Sequence, residues 1–213
     1  PPQLQPTIRG GGRQTMNYPL RLDGHHDHAT DVICDDTVIL TLQYSTQWDS
    51  FAHVGQLFDA DDDGRAEMVY YNGYRANEHV IGPVDWLADG AELSAGPTGA
   101  RALGIDTMAV SCVQGRGVMI DLKAHLGPGR SLVGYAELRR IIDADKVTIV
   151  PGDMVCLHTG FADALVAMAG KPDAAQLKQC GAELDGRDPE LLRWVTDSGI
   201  AALVADNYSV EAH

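Results

Sequence analysis

Apolar residues spaced three and four positions apart predict helices in the second half of the chain. Leu138, Ile141 and Ile142 have this spacing, which places them on one face of a helix over residues 134–145. A less regular pattern of the same kind predicts a shorter helix over 172–181. Each of these helices has an apolar face that must pack against another element.

A further helix is marked by its ends. Asp188 is a typical N-cap, Pro189 suits the first helical position, and Gly199 ends the helix. Short apolar and β-branched runs predict strands over 37–43, 118–122, 147–150, 154–158 and 200–205. Because strands and helices alternate in the second half, the sequence indicates an α/β fold.

The first half is less regular. Residues 1–17 are rich in Pro, Gly and polar groups and predict an arm with little local structure. Residues 59–64 predict an acidic loop, and the Gly- and Pro-containing segment 82–104 predicts a long surface connection.

Composition limits the classes of partner. The chain has 213 residues, of which 45% are hydrophobic, so it can form one domain with a substantial core. Its formal net charge of −14 argues against nucleic acid and anionic membrane surfaces as partners, since both require clustered Lys and Arg. The 4 cysteines form no C-x-x-C pair, and the N-terminus has no apolar signal-peptide core. These features predict a cytoplasmic protein with reduced thiols.

A polar cluster follows the predicted strand 37–43. Gln47, Asp49 and His53 place an amide, a carboxylate and an imidazole within seven residues of one another. Many α/β proteins carry their chemistry at the end of a strand, where a rigid element holds side chains that a loop exposes. His53 is therefore either a general base or a core histidine that donates to a backbone carbonyl.

This cluster resembles the signature of the metal-dependent cyclase family, which includes kynurenine formamidase and isatin hydrolase. The signature reads His-x-Gly-Thr-His-x-Asp-x-Pro-x-His, and it aligns with residues 43–53. Thr46, Asp49 and His53 match, whereas Gln43 and Gln47 stand where the family has histidine. The chain is thus similar to a divergent branch of the family.

The resemblance extends over roughly residues 30 to 213. It predicts an N-terminal arm over 1–30 and a cyclase-like domain over 31–213 that lacks its C-terminal part. Four further segments resemble the family in the expected order: 71–74, 116–121, 152–160 and 205–211.

The resemblance implies a fold, an activity and a cofactor. The fold would be a swivelling-type β/β/α domain with a mixed central sheet, assembled into homodimers or homotetramers. The activity would be metal-dependent hydrolysis of a cyclic or linear amide or a related carbonyl compound, as in a formamidase. Asp49, Gln47 and Gln43 would hold a divalent ion, with manganese or zinc preferred, and His53 would be the catalytic base. Glutamine coordinates through a neutral oxygen, which suits harder ions better than zinc.

Other residues near the cluster suggest a small-molecule pocket. Trp48, Phe51 and Tyr74 either line an aromatic substrate site or belong to the core. His25 and His26 either line the same site or lie in a solvated loop.

Two alternatives to an enzyme remain open. The first is a non-catalytic or regulatory binding protein on the cyclase scaffold, whose metal site was lost with the two histidines. The second is a structural domain stabilised by calcium at the acidic loop. Asp59, Asp61, Asp63 and Gly64 match the start of an EF-hand loop, but Tyr70 occupies the position of its bidentate carboxylate. The other interpretation of this loop is a solvated acidic turn.

Overall fold

The computed structural model describes residues 3–24, 27–42, 47–94 and 96–212. The chain forms two compact units, Pro1–Ile105 and Asp106–His213. Both parallel and antiparallel strand pairs occur, so the fold is mixed α/β. This confirms the predicted class.

The first unit consists of short antiparallel strand pairs. The pairs are β1 with β6, β2 with β3, β4 with β5, β7 with β8, β9 with β12 and β10 with β11. Their bounds are β1 (Gln3–Pro6), β2 (Ile8–Arg9), β3 (Arg13–Gln14), β4 (Tyr18–Pro19), β5 (Val32–Ile33), β6 (Asp36–Ile39), β7 (Gln56–Phe58), β8 (Glu67–Val69), β9 (Val80–Ile81), β10 (Val84–Trp86), β11 (Glu92–Ser94) and β12 (Gly99–Ala100).

The N-terminal residues are more ordered than their composition predicts. β1 pairs with β6, so that Gln3 lies opposite Ile39. The buried Thr15 hydroxyl donates to the carbonyl of Thr7 at 2.7 Å, and the Thr15 carbonyl accepts from the Asp35 amide at 2.8 Å. The prediction of an arm with little structure over 1–17 was wrong, because distant residues supply the hydrogen bonds that local composition does not reveal.

Two other predictions in this unit need correction. The strand predicted over 37–43 ends at Ile39 in the structure, and Gln43 lies outside the described residues. The segment 82–104 is not a plain connection, because it contains the hairpin of β10 and β11. Its turn is closed by hydrogen bonds between Leu87 and Ala91 and between Gly90 and Leu87.

The second unit contains the helices and the parallel strands. In it, β13, β15 and β17 form a parallel sheet in that order, and β14 pairs with β16, also in parallel. The element bounds are α1 (Ile105–Ser111), β13 (Gly117–Asp121), α2 (Leu122–Leu126), β14 (Ser131–Val133), α3 (Tyr135–Ala144), β15 (Met154–His158), α4 (Phe161–Ala167), α5 (Ala174–Leu177), β16 (Ala182–Leu184), α6 (Pro189–Asp197) and β17 (Ala202–Ala205).

The core of this unit lies between the parallel strands and α3. Ile120 and Val155 point from the strands into the same cluster as Leu138 and Ile141 of α3, and all four side chains are fully buried. The predicted helical face is therefore confirmed. The strand 154–158 is also confirmed at its predicted bounds.

The cap of α6 is confirmed as well. The Asp188 carboxylate accepts hydrogen bonds from the amides of Glu190 and Leu191 at 2.8 and 3.3 Å. It also accepts from the amide of Tyr135, at the start of α3, at 2.7 Å. These three amides lower the pKa of Asp188, with that of Tyr135 contributing most. One capping residue thus joins the beginnings of two helices.

Several elements of this unit differ from prediction, and α1, α2, β14 and β16 were not predicted from the sequence. No strand forms over 147–150, where the Val147 amide instead binds the carbonyl of Ile142. The helix predicted over 172–181 is reduced to α5, and α4 was not predicted from the sequence. At the start of α4, the amides of Gly160 and Ala162 donate to the carboxylate of Asp206, which is distant in sequence and which periodicity cannot detect.

Two carboxylates join segments that resemble the cyclase family. Asp153 is 2% exposed and accepts from Arg116 Nε at 2.9 Å and from the Val150 amide at 2.7 Å. Asp206 accepts from the amides of Thr159 and Ala162 at 2.5 and 3.2 Å. The hydrogen bonds of these two carboxylates stabilise the parallel sheet and its connections.

Cys34, Cys112, Cys156 and Cys180 are free thiols. Among the described residues, no helix combines the length and the apolar character needed to cross a membrane.

Candidate functional site

A short turn in the first unit brings Asp49, the predicted metal ligand, close to His53, the predicted base. The His53 amide donates to the Ser50 carbonyl at 3.0 Å, and the Ala52 amide donates to Ser50 Oγ at 3.2 Å. This turn places His53 Nε2 at 3.8 Å from Asp49 Oδ1. The two side chains are 39% and 50% exposed, so both can reach a ligand from solvent.

Asp49 and His53 line an open cavity of about 690 Å³. Phe51 lies between them in sequence, and its ring stacks on Tyr71 with the ring centroids 4.5 Å apart. A cavity with aromatic walls and a few convergent polar groups is a typical small-molecule site. The lining residues include Asp49, Phe51, His53, Phe58, Tyr70 and Tyr71.

The other residues predicted for the site lie in different places. Tyr74 contacts His79 edge-on, with the ring centroids 4.9 Å apart, and is not part of the cavity lining. Trp48 and Gln47 are exposed and are also not part of that lining. His25, His26 and Gln43 lie outside the described residues, and their roles stay predictions.

The structure adds residues that were not predicted for this site. Tyr70, Tyr71 and Asn72 line the same cavity as the loop that carries His53. Asn72 has a left-handed φ of 57°, and Gly73 follows with a φ of 81°. The Asn-Gly pair is a strong turn signal, so the sequence did hold a sign of this wall.

Two described residues of this loop, Asp49 and Gln47, carry oxygen atoms of the kind that a divalent ion accepts. Asp49 offers an anionic carboxylate, and Gln47, two residues away on the same exposed loop, offers a neutral carbonyl oxygen. The His53 imidazole lies 3.8 Å from the Asp49 oxygen and is predicted to be the base and not a ligand. Manganese accepts carboxylate, carbonyl and water ligands more readily than zinc does.

The acidic loop is a separate group of carboxylates. The nearest oxygens of Asp59, Asp61 and Asp63 lie within 4.8 Å of one another. Asp59 accepts hydrogen bonds from the amides of Asp63 and Gly64 at 3.1 and 2.8 Å, so its carboxylate closes the loop without an ion. Asp61 lies 3.4 Å from Arg75, which also pairs with Glu67. These contacts support the interpretation of a solvated acidic turn.

We expect calcium to leave the melting temperature of the protein unchanged. Asp59 already caps the turn, and the loop has no bidentate carboxylate at Tyr70. The free energy of unfolding of the Asp61→Asn/Asp63→Asn variant should lie within about 1 kcal/mol of the parent's, both in calcium and in chelator. A calcium-dependent stabilisation that this variant abolishes would contradict the expectation.

A charged cluster lies at the carboxyl ends of β13 and β15 in the second unit. His158 Nδ1 is 2.9 Å from Asp121 Oδ1, and His158 Nε2 is 3.2 Å from Asp163 Oδ2. Lys123 Nζ donates to the same Asp163 oxygen at 2.5 Å. Partial burial lowers the pKa of His158, but the hydrogen bonds to Asp121 and Asp163 outweigh it, and the pKa is raised overall. This arrangement favours an imidazolium that is held between carboxylates.

Comparisons with known proteins found one family model and similar solved structures. The family model described as "Putative cyclase" matches residues 12–212. A crystal structure reported as that of a novel cyclase is similar, with a TM-score of 0.66 and 23% sequence identity. The similarity covers 99% of this chain but 61% of that one, so the chain spans about three fifths of its length. No curated protein matches the sequence.

Proposed function

Since the chain belongs to the cyclase family, we propose that it is a metal-dependent hydrolase of a cyclic or linear amide or a related carbonyl compound. The observation that carries the proposal is the approach of His53 Nε2 to Asp49 Oδ1, at 3.8 Å, in a cavity with aromatic walls. A carboxylate ligand and a base at this separation are what hydrolysis by an activated water requires.

In this proposal, the residues of the loop have separate roles in metal binding and proton transfer. Asp49 and Gln47 would hold the ion, and Gln43 would complete the set that the resemblance implies. The chemistry that such an ion supplies is polarisation of a carbonyl group and acidification of water. His53 Nε2 takes a proton from the attacking water and returns it to the leaving nitrogen as the C–N bond breaks. Phe51 packs against the apolar part of the substrate.

The resemblance supports further proposals about the whole protein. These are a swivelling-type domain, assembly into homodimers or homotetramers, a cytoplasmic location, and no nucleic-acid or membrane partner. Assembly is supported by apolar side chains that the first unit leaves exposed, such as Leu4 of β1 and Val38 of β6. Such side chains are commonly buried by a partner subunit.

Metal analysis combined with one substitution tests the proposal. The protein as purified, and again after add-back of Mn²⁺ or Zn²⁺, is assayed on a panel of formamides and lactams. We expect Asp49→Asn to weaken Mn²⁺ binding by at least about tenfold, because a neutral oxygen replaces an anionic one. Asp31→Asn, at an exposed aspartate outside the cavity lining, is the matched control.

The outcomes separate the candidate functions. Mn²⁺ affinity that is equal in Asp49→Asn and Asp31→Asn would remove Asp49 from the metal site. A parent chain that binds neither ion and hydrolyses nothing on the panel would favour the non-catalytic binding protein.

A further inference from the structure

Residues 70–74 form a hydrogen-bonded turn, which we call the tyrosine turn, and its residues 70–73 line the same cavity as Asp49 and His53. The Tyr70 amide donates to the Tyr74 carbonyl at 2.7 Å, and the Gly73 amide donates to the Tyr70 carbonyl at 3.2 Å. Tyr74 is followed by Arg75, which bridges back to Val69 of β8. The turn is therefore fixed to the strand pair of β7 and β8.

The tyrosine turn makes its first contact with the loop through a ring stack. The planes of Phe51 and Tyr71 are 17° apart, and their centroids are separated by 4.5 Å. Phe51 is two residues from Asp49 and two from His53, so the stack holds the midpoint of the segment that joins them. Both rings remain about half exposed. The stack therefore orients the Phe51 side chain more than it buries apolar surface.

The second contact is a close backbone approach at Gly55. A Cβ atom on Gly55 would lie 2.9 Å from the Val69 carbonyl oxygen and 3.2 Å from the Tyr70 ring. No side chain fits there without movement of the turn or of the loop. Gly55 is two residues beyond His53. The loop therefore contacts its surroundings on both sides of His53 in sequence, at Phe51 and at Gly55.

We propose that the tyrosine turn is a positioning element for the site, with Tyr71 and Gly55 as positioning residues. The inference rests on the proposed function of Asp49 and His53. The hydrogen bonds of Ala52 and His53 with Ser50 are local to the loop and fix its internal shape. The ring stack and the close approach at Gly55 fix the position of the loop relative to the tyrosine turn. Tyr71 contributes its ring face, and its hydroxyl is not part of the stack.

Hydrogen exchange tests the positioning directly. Peptides that cover residues 50–55 are followed by mass spectrometry in Tyr71→Ala and Gly55→Ala. Their matched controls are Tyr71→Phe, which keeps the ring, and Gly96→Ala, where an added Cβ meets nothing within 4 Å. We expect exchange to be about fivefold faster in Tyr71→Ala and Gly55→Ala, the effect of losing a typical aromatic pair. Both controls should match the parent.

Kinetics on the same variants separates positioning from general stability. With Mn²⁺ at saturation, Tyr71→Ala should lower kcat about tenfold, and Tyr71→Phe should restore it. Equal exchange over 50–55 in Tyr71→Ala and Tyr71→Phe would overturn the proposal, and so would equal kcat. If Gly55→Ala does not fold, the Tyr71 pair decides alone. A parent chain without activity overturns the proposed function, and the exchange measurement then decides the positioning proposal.

Discussion

His53→Ala is expected to lower kcat by about 10² to 10⁴, the usual contribution of a positioned acid–base group. The imidazole lies in the cavity beside the Asp49 carboxylate, where it can accept a proton from water and return it to a leaving nitrogen. Alanine removes the proton carrier and leaves the Asp49 carboxylate in place. The bound metal, measured by elemental analysis, should therefore stay close to that of the parent.

His125→Ala is a suitable control for this experiment. His125 pairs with Asp145 in the second unit and has no assigned part in the chemistry. If His53→Ala loses its metal in proportion to its activity, His53 is a ligand and replaces one of the missing histidines. If the variant keeps both metal and full activity, the base must be sought among His25, His26 and His158.

Asp153→Ala should cause a large loss of stability. The carboxylate is 2% exposed and accepts from Arg116 Nε, Arg116 Nη2 and the Val150 amide. Its removal deprives the Val150 amide and Arg116 of their acceptor, although the Arg116 side chain is 55% exposed and can bind water instead. We expect the melting temperature to fall by about 5 °C, the scale for a lost buried acceptor with charged and backbone donors. Calorimetry or circular dichroism measures the change.

The same residue predicts a pH dependence with a defined sign. Hydrogen bonds from Arg116 and Val150 hold the pKa of Asp153 below its ordinary value. The stabilisation is therefore complete above the unfolded value of about 3.9, and it is lost as the pH falls through the lowered one. Acid should destabilise the parent more than Asp153→Ala. Asp143→Ala, which removes an exposed partner of Arg139 on α3, should leave the acid profile close to that of the parent.

The sequence predicted the second unit better than the first, for a physical reason. The face formed by Leu138, Ile141 and Ile142 and the cap at Asp188 are local patterns, and the structure reproduces them. In the first unit, the strands are two to four residues long and depend on partners far away in sequence, as β1 depends on β6. Such pairs have no periodicity that a single sequence can show.

The candidate site divides in the same way. Asp49 and His53 are four residues apart, so a single turn was enough to bring them together as expected. Tyr71 and Gly55 act through contacts with Phe51 and with Val69 and Tyr70, and these depend on how β7 and β8 pair. The sequence marked the tyrosine turn by its Asn-Gly pair but not the ring that it presents to the loop.

The salt bridge of Arg116 with Asp153 has a consequence for how relatives of this chain are recognised. Both residues, like Asp206, lie in segments that made the chain resemble a cyclase, yet their contacts are with backbone amides and with each other. Selection for a folded protein alone would keep such residues. A homology search weighted towards these segments would therefore collect pseudoenzymes as readily as active enzymes. Under the proposed function, the catalytic competence of a relative is better judged from the positions equivalent to Asp49 and His53.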